Sequence, residues 1–442
     1  MPNDIFELQL LCHLTETYCK RHNVNLEPGK TKLVPFSCGK NNIVVKHAEC
    51  INSVNIDGVL IPFSEKLEHV GVVRDRNGNM AHILNRISQH KKALASVLFS
   101  GAGKSHRGNP AASLRIHTLY CTPVLLSGVA SLVLTRTELN ILDSHYTKTL
   151  MRLQRLYDKT PRAFIHLLGG SLPFMALLSL RRMSLFHMIC MKPSSPLYLH
   201  AKYILTFEPK GSRSWFIIIK ETCQLYGLDH PLSLLANPPT RLQFKKLVKL
   251  KVCEYWQQHF KEECLRLPSL KYFDATRASL LAPHATWKLS GSSPFEVNKS
   301  LVVAKMLSGR YRSEAMKRHW SNDSNGFCSM PTCGNVLGDL EHLLLFCPAL
   351  EQTRSRLYSI WSQKLHQIPL LNGLFQSLNS LPAHVVVAFL LNPSANSEVV
   401  RLSQLHGSWV LENVMYLTRT FVYNIHKEKL IQTGDWTNDT QN

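Results

Sequence analysis

The apolar positions of this chain change their period near Gly78. In the stretch "DIFELQLLCHLTETYCKRH" (4–22), Ile5, Leu8, Leu11 and Cys12, then Thr15 and Cys19, recur at helix spacing, which predicts an amphipathic helix with these residues on its inner face. Pro28-Gly29 ends that pattern, and short segments of strand character follow at Lys32–Phe36, Ser53–Ile56 and Val59–Ile61. The last two flank Asp57-Gly58, a dipeptide suited to the positive-φ positions of a two-residue hairpin. "EKLEHVGVV" (65–73) alternates and reads as a fourth strand that pairs with them.

Beyond Gly78 the period is helical. Met80–Phe99 is amphipathic, with His90, Lys91 and Lys92 assigned to its outer side. Further helices are predicted over Ser113–Leu134, Thr137–Leu156 and Leu172–Met191, and Pro193, Pro196, Pro209-Lys210-Gly211 and Pro238-Pro239 punctuate the middle of the chain. "RLQFKKLVKLKVCEYWQQHFKEECLRL" (241–267) forms one long basic helix, and the residues from Pro348 onward are again mainly helical. The predicted fold class is α+β: a small β-containing region at the N-terminus, then a mainly α-helical remainder. Division at 1–75, 76–192, 193–300, 301–350 and 351–442 follows the breaks in pattern.

Charge changes this picture more than any other bulk property. Lysine and arginine exceed the acidic residues by 21 (51 against 30), and the pI is near 9.5, which favours polyanionic partners, with RNA or DNA first among them. On the long basic helix, Arg241, Lys245, Lys246, Lys249 and Lys251 interleave with Leu242, Phe244, Leu247, Val248 and Leu250. Such a face is either solvated or in contact with phosphates. No base-reading motif accompanies it, so any binding would follow backbone charge.

Leu119–Leu134 is apolar but short for a membrane span and interrupted by Thr, Pro, Ser and Gly, so it reads as a buried helix, with no membrane partner. Asp4 and Glu7 stand where an apolar leader would run, and Cys12, Cys19, Cys121 and Cys190 are scattered singly. Together these predict reduced thiols in an intracellular, cytoplasmic or nuclear, protein.

Two motifs invite chemistry. "SGAGKSHRG" lacks the first glycine of a phosphate-binding loop, because Leu98 occupies that position, and it follows a helical pattern instead of a strand. It reads as a helix–helix connection. "CSMPTCGNVLGDLEHLLLFCP" is stronger: Cys328, Cys333, His342 and Cys347 form C-x4-C-x8-H-x4-C, with turn residues Pro331 and Gly334 beside the ligands. Three thiolates and one imidazole suit a closed tetrahedral zinc site with a structural role. Buried thiols beside a surface histidine are the alternative. A folded zinc module would present Arg310, Arg312, Lys317 and Arg318 of "GRYRSEAMKRHW" to a polyanion.

Several segments together resemble the downstream part of a non-LTR (LINE-type) retrotransposon reverse transcriptase. "NLEPGKTKLVPF" is similar to the lysine-bearing turn that closes the palm, and "SVNIDGVLIPFSEKLEHVGVV" resembles the primer-grip hairpin after it, with His69 where the family has an aromatic residue. "YCTPVLLSGVASLVL" is similar to the thumb helix, with Ser127 in place of Tyr. "LSGRYRSEAMKRHW…CSMPTCG…LEHLLLFCP" resembles the C-terminal zinc-binding region, while "FLLNPS" and "YLTRTFVYNIHKEKL" resemble the tail. The resemblance implies a palm remnant, a helical thumb and connector, a zinc module and a helical tail, with Lys30 as a general acid toward pyrophosphate or a residue that positions the nucleotide, and with Lys30 and Lys32 among the nucleic-acid contacts.

It also implies that the metal-binding aspartates lie upstream of "MPND", in a missing polymerase half that could act as partner. No Asp-Asp dipeptide occurs in the chain, and neither Asp57 nor Asp75 has a matching context. Mg²⁺ is therefore expected only for an intact family enzyme, and the chain alone is expected to be inactive and to retain a basic RNA/DNA-binding surface. A zinc-stabilised interaction or scaffolding protein without a nucleic-acid role is the alternative.

Overall fold

A computed structural model of the protein describes residues 5–27, 30–34, 54–62, 64–69, 71–75, 78–99, 108–208, 214–291, 293–319, 324–330, 332–366, 369–378 and 380–434. The architecture is α+β: a few short strands near the N-terminus and helices elsewhere. It divides into two compact units, one of residues 1–93 and 122–142, the other of residues 94–121 and 143–442.

The first unit opens with α1 (Ile5–Arg21). Leu8 and Cys12 pack against a small core of Val54, Ile56 and Ile61, and Cys19 is buried. Leu11 and Thr15, predicted on the inner face, lie on the outer side with Phe6, Leu10 and Leu14, because the hairpin covers only a narrow stripe of the helix. β1 (Asn55–Ile56) and β2 (Val59–Leu60) form the expected hairpin, with Asp57 (φ 50°) and Gly58 (φ 76°) both in the left-handed region that this turn demands. Gln9 braces it: its amide donates to Asn55 O (3.1 Å) and accepts from Asn55 N (3.0 Å). Leu33 donates to Pro62 O and accepts from Ser64 N, and the rest of the predicted strand from residue 35 lies outside the described residues.

"EKLEHVGVV" corrects the expected pairing. It folds on itself, β3 (Lys66–His69) against β4 (Val72–Asp75), as a second two-stranded sheet. Gly71 (φ 72°) lets the chain reverse there. α2 (Met80–Phe99) follows, and His90, expected outside, is fully buried while Lys91 and Lys92 are exposed. His82, also buried, accepts from Val73 N through Nδ1 (3.2 Å) and lies 3.2 Å from Ser127 O through Nε2, tying β4 to the segment at Ser127. Residues 100–107, with most of "SGAGKSHRG", lie outside the described residues.

The single helix predicted over Ser113–Leu134 is instead a series of short pieces. α3 (Pro110–Ile116), capped by Asn109, runs into a π-turn at 117–121, then α4 (Thr122–Leu126), ended by Gly128 (φ 72°), then a 3₁₀ turn. A β-carbon on Gly128 would lie 2.7 Å from Val72 Cγ2, so the break is built into the packing. α5 (Arg136–Leu153), α6 (Arg162–Gly169) and α7 (Phe174–Cys190) follow, α6 being unforeseen from the sequence.

In the second unit, α8 (Pro196–Phe207), α9 (Trp215–Tyr226) and α10 (Pro231–Ala236) enclose a core with α7 and with α11 (Arg241–Leu265). A Thr240–Gln243 capping box starts α11, and Phe244, Val248 and Val252 pack inward at one-turn intervals. Each such side chain stabilises the fold by about 1.5–3 kcal/mol. After α12 (Ala285–Lys288), α13 (Pro294–Leu307) and α14 (Glu314–Lys317), the tail contains α15 (Glu351–His366), α16 (Pro369–Leu378), α17 (Ala383–Leu391), α18 (Ser397–His406) and the long, largely buried α19 (Trp409–Thr433). α19 packs on α13, α15, α17 and α18. No single described helix is long and apolar enough to cross a membrane; α6 and α7 pass such a test only as a pair, bent by 65°, and α7 carries the buried Arg182 and His187.

A polar cluster pins this unit. Trp287, fully buried, donates from Nε1 to Gln154 Oε1 (3.0 Å), and the Gln154 amide donates to Ile165 O (3.0 Å) and Leu150 O (3.2 Å). Nearby, His166 lies between Ser171 O and Thr147 Oγ1 and stacks on Phe260. Burial, helped by the Arg162 charge, lowers its pKa to about 3, and burial lowers that of His284 to about 4. Both are neutral in the native state. The unfolded state, with histidines near about 6.5, takes up protons first, so this stability is present above about pH 6.5 and is lost as pH falls toward the native values. Thermal melting followed from pH 7 to pH 4 should show a falling midpoint, and His166→Gln should lower it at pH 7 while making the acid decline shallower. Parallel declines in the two proteins would refute the assignment.

Candidate metal centre

The segment after α13 enters the site through a fixed turn. Gly309 has φ 64°, and a β-carbon there would lie 2.1 Å from Ser269 O, so only glycine fits. Phe327 and Leu337 then form an antiparallel bridge, with Cys328 N donating to Val336 O (2.8 Å) and Gly338 N to Gly326 O (3.0 Å). This short ladder closes the loop that carries Cys328 and Cys333, with Gly334 (φ 55°) reversing the chain and Cys333 N bonded to Met330 O (3.1 Å). Gly338 sits against Glu314 Cβ and Cys328 Cα, where a larger residue would push the ladder apart.

The second half of the site is a helical turn of π character, His342–Phe346. Asp339 Oδ1 accepts from His342 N (2.8 Å), satisfying a donor that a helix start leaves free. Cys347 N closes the turn onto His342 O (2.7 Å), and Pro348 prevents its continuation. Glu341, beside the histidine, is held by Tyr272 Oη (2.9 Å) and Lys271 Nζ (3.1 Å).

The two halves bring one atom each of Cys328, Cys333, His342 and Cys347 within 4.8 Å of one another, with three of the four residues buried. Cys333 Sγ and Cys347 Sγ are 3.4 Å apart, too far for a disulfide and near the tetrahedral edge of about 3.8 Å that zinc–thiolate bonds of about 2.3 Å require. Nε2 of His342 is buried and has no hydrogen-bond partner among the described residues, a costly arrangement for a polar atom unless a ligand meets it. The alternative of buried thiols beside a surface histidine does not describe this site, since the imidazole is buried with them.

Burial first, then the neighbouring thiols, push the Cys347 thiol up to about 12, and burial raises Cys328. Burial lowers His342, which keeps the imidazole neutral and its lone pair available. The group can hold a metal ion; the soft donor set disfavours Ca²⁺ or Mg²⁺ and is compatible with zinc. Binding must displace thiol protons, so it weakens in acid.

The basic residues predicted to contact nucleic acid are dispersed. On α11, Arg241, Lys245, Lys246 and Lys249 are exposed and have no ion-pair partner among the described residues, whereas Lys251 faces Glu254 (3.3 Å). The three lysines line a groove of about 300 Å³ against Leu180, Met183 and Ser184 of α7. Beside the metal centre, Arg318 is exposed, Arg310 is half-buried, Lys317 pairs with Glu314 (2.8 Å), and Arg312 lies over the Tyr157 ring (5.1 Å). Lys30 pairs with Glu27 (2.6 Å) and Lys32 is exposed.

Pattern reading missed the residues around the ligands. Asp339, three positions before His342, carries a capping signal that could reveal it, but Glu314, Tyr272 and Arg354 come from distant or neighbouring elements with no local signature.

No protein-family model, curated protein or solved structure matches the chain.

Full-length protein should retain one equivalent of metal, and Cys333→Ser or Cys347→Ser should abolish it, whereas Cys12→Ser or Cys190→Ser should leave it unchanged. Elemental analysis of the five proteins is the check. A chelator should expose residues 309–348 to hydrogen exchange before α7 or α11. Full retention of metal in Cys333→Ser would show that the cluster is not a site.

Proposed function

We propose that the chain carries the thumb, connector and zinc-binding parts of a LINE-type reverse transcriptase and acts as a zinc-stabilised, sequence-independent nucleic-acid-binding module. The observation that carries this reading is the convergence of Cys328, Cys333, His342 and Cys347 in the segment where the resemblance is most specific. Zinc would fill that site with no open position for water, so its contribution is folding free energy and not catalysis.

The excess of 21 positive charges supports a polyanionic partner, RNA or DNA. Exposed and without an ion-pair partner among the described residues, Arg241, Lys245, Lys246 and Lys249 are the best-placed contacts, with Arg318 and Lys32 as further candidates. Arg312, Lys317, Lys251 and Lys30 are engaged within the chain and would contribute less. Template copying needs paired carboxylates that hold two metal ions. The 442 residues contain no Asp-Asp dipeptide of the kind the family uses, so no metal-holding pair is assigned within them and Mg²⁺ is assigned only to an intact family enzyme.

RNA and single-stranded DNA should bind with an affinity that falls steeply between 50 and 200 mM salt, roughly linearly in log–log form. Replacing Lys245, Lys246 and Lys249 by Gln should weaken binding for every sequence tested and make the salt slope shallower by up to about 3. The purified chain should extend no primer on an RNA template with Mg²⁺ or Mn²⁺. Binding that ignores salt and the triple substitution would favour the scaffolding reading, and incorporation that persists through repurification would overturn the assignment of inactivity.

A further inference from the structure

Arg354 lies in the first turn of α15, outside the ligand motif, and its side chain is almost completely buried. Its Nη2 donates to Cys347 O (2.8 Å) and its Nε to Leu344 O (3.2 Å), so one planar guanidinium grips two carbonyls at the end of the ligand-bearing turn. Nη1 is paired with Glu351, whose own side chain is 62% exposed and therefore screened by solvent. The guanidinium is thus held by two carbonyls of the ligand-bearing turn and by one carboxylate of its own helix.

Arg354 reaches the peptide of Cys347 from behind, and the Cys347 Sγ stands 3.4 Å from that of Cys333. Metal ligands are commonly fixed by such outer hydrogen bonds, and arginine's rigid fork suits two carbonyls where a lysine ammonium would serve one.

We propose that Arg354 is a positioning residue for the Cys328/Cys333/His342/Cys347 metal centre, holding the Cys347 peptide in register through its bonds to Leu344 O and Cys347 O. This rests on the reading of the cluster as a metal site. A simple capping role for Arg354 is the competing account. The two differ in whether loss of the guanidinium acts through the metal.

The test uses the full chain in metal-free and Zn²⁺-loaded forms. Zinc affinity is measured by competition with a chromophoric chelator, melting of both forms is recorded, and Co²⁺ is substituted to read the ligand-field spectrum of an S₃N site. Arg354→Gln should weaken zinc about 10- to 100-fold, lower the melting midpoint of the loaded form more than that of the metal-free form, and alter the Co²⁺ bands. Arg354→Lys should fall between, at least about threefold weaker than wild type, and carries the test if the Gln variant does not fold. Glu351→Gln, which leaves both carbonyl bonds intact, should stay within about twofold of wild type. Equal loss of melting temperature in both forms, with zinc affinity and Co²⁺ spectrum unchanged, would reduce Arg354 to a cap and overturn the proposal. A wild-type chain that binds neither Zn²⁺ nor Co²⁺ would instead overturn the metal reading itself.

Discussion

Burying a cation is expensive unless it finds a partner, and α19 buries two. Arg419 donates to Leu289 O (2.7 Å), Ser300 Oγ (2.8 Å) and Met415 O (3.0 Å), while Lys429 donates to Arg312 O (3.0 Å) and lies 3.9 Å from Glu314. His426, one turn before Lys429, is 2.8 Å from Tyr311 Oη. All of these outside partners belong to residues 289–314. That stretch must therefore lie along α19, and the chain enters the metal module from a fixed direction. Gly309, closed against Ser269 O, holds the turn in between.

The same requirement explains why a strongly basic chain does not present all its charge to solvent. Lys305 and Arg312 lie over Tyr157, and Lys299 lies over Phe295 and Tyr416 while bonding Glu296. In these places lysine and arginine act as packing residues whose charge is met by aromatic faces. The face of α11 differs, because Lys245, Lys246 and Lys249 have neither acid nor ring against them among the described residues, although Lys251 pairs with Glu254. Exposed cationic charge without an ion pair among the described residues therefore lies on α11, whereas Arg312 of the "GRYR" segment is packed on Tyr157, although both segments are basic in sequence.

Around the metal centre, local and distant elements divide the work. The ladder 326–328/336–338 and the turn 342–346 place the four ligands, and they do so with bonds inside one segment of the chain. Tyr272, Lys271 and Arg354 fasten the ends of that turn from outside. The module is thereby tied to the region after α11 and to the start of α15.

Sequence alone determined what depends on neighbours a few residues away. Asp57-Gly58 specifies its hairpin because two adjacent residues must adopt positive φ, and the four residues of the candidate metal site are legible because all lie within one short segment whose turns bring them together. The α+β class and the long helix α11 follow from periodicity in the same way. Tertiary structure decided the rest. "EKLEHVGVV" alternates equally well for either partner strand, and only the reversal at Gly71 selects its own second half. Leu119–Leu134 has the composition of one helix, yet Gly128, in the left-handed region and with no room for a β-carbon beside Val72, breaks it. His90 and His166 look like ordinary polar residues until surrounding helices bury them, and Arg354 looks like surface charge until its guanidinium meets the carbonyls of Leu344 and Cys347. Burial and long-range partners are properties of the folded chain, and no local pattern of residues encodes them.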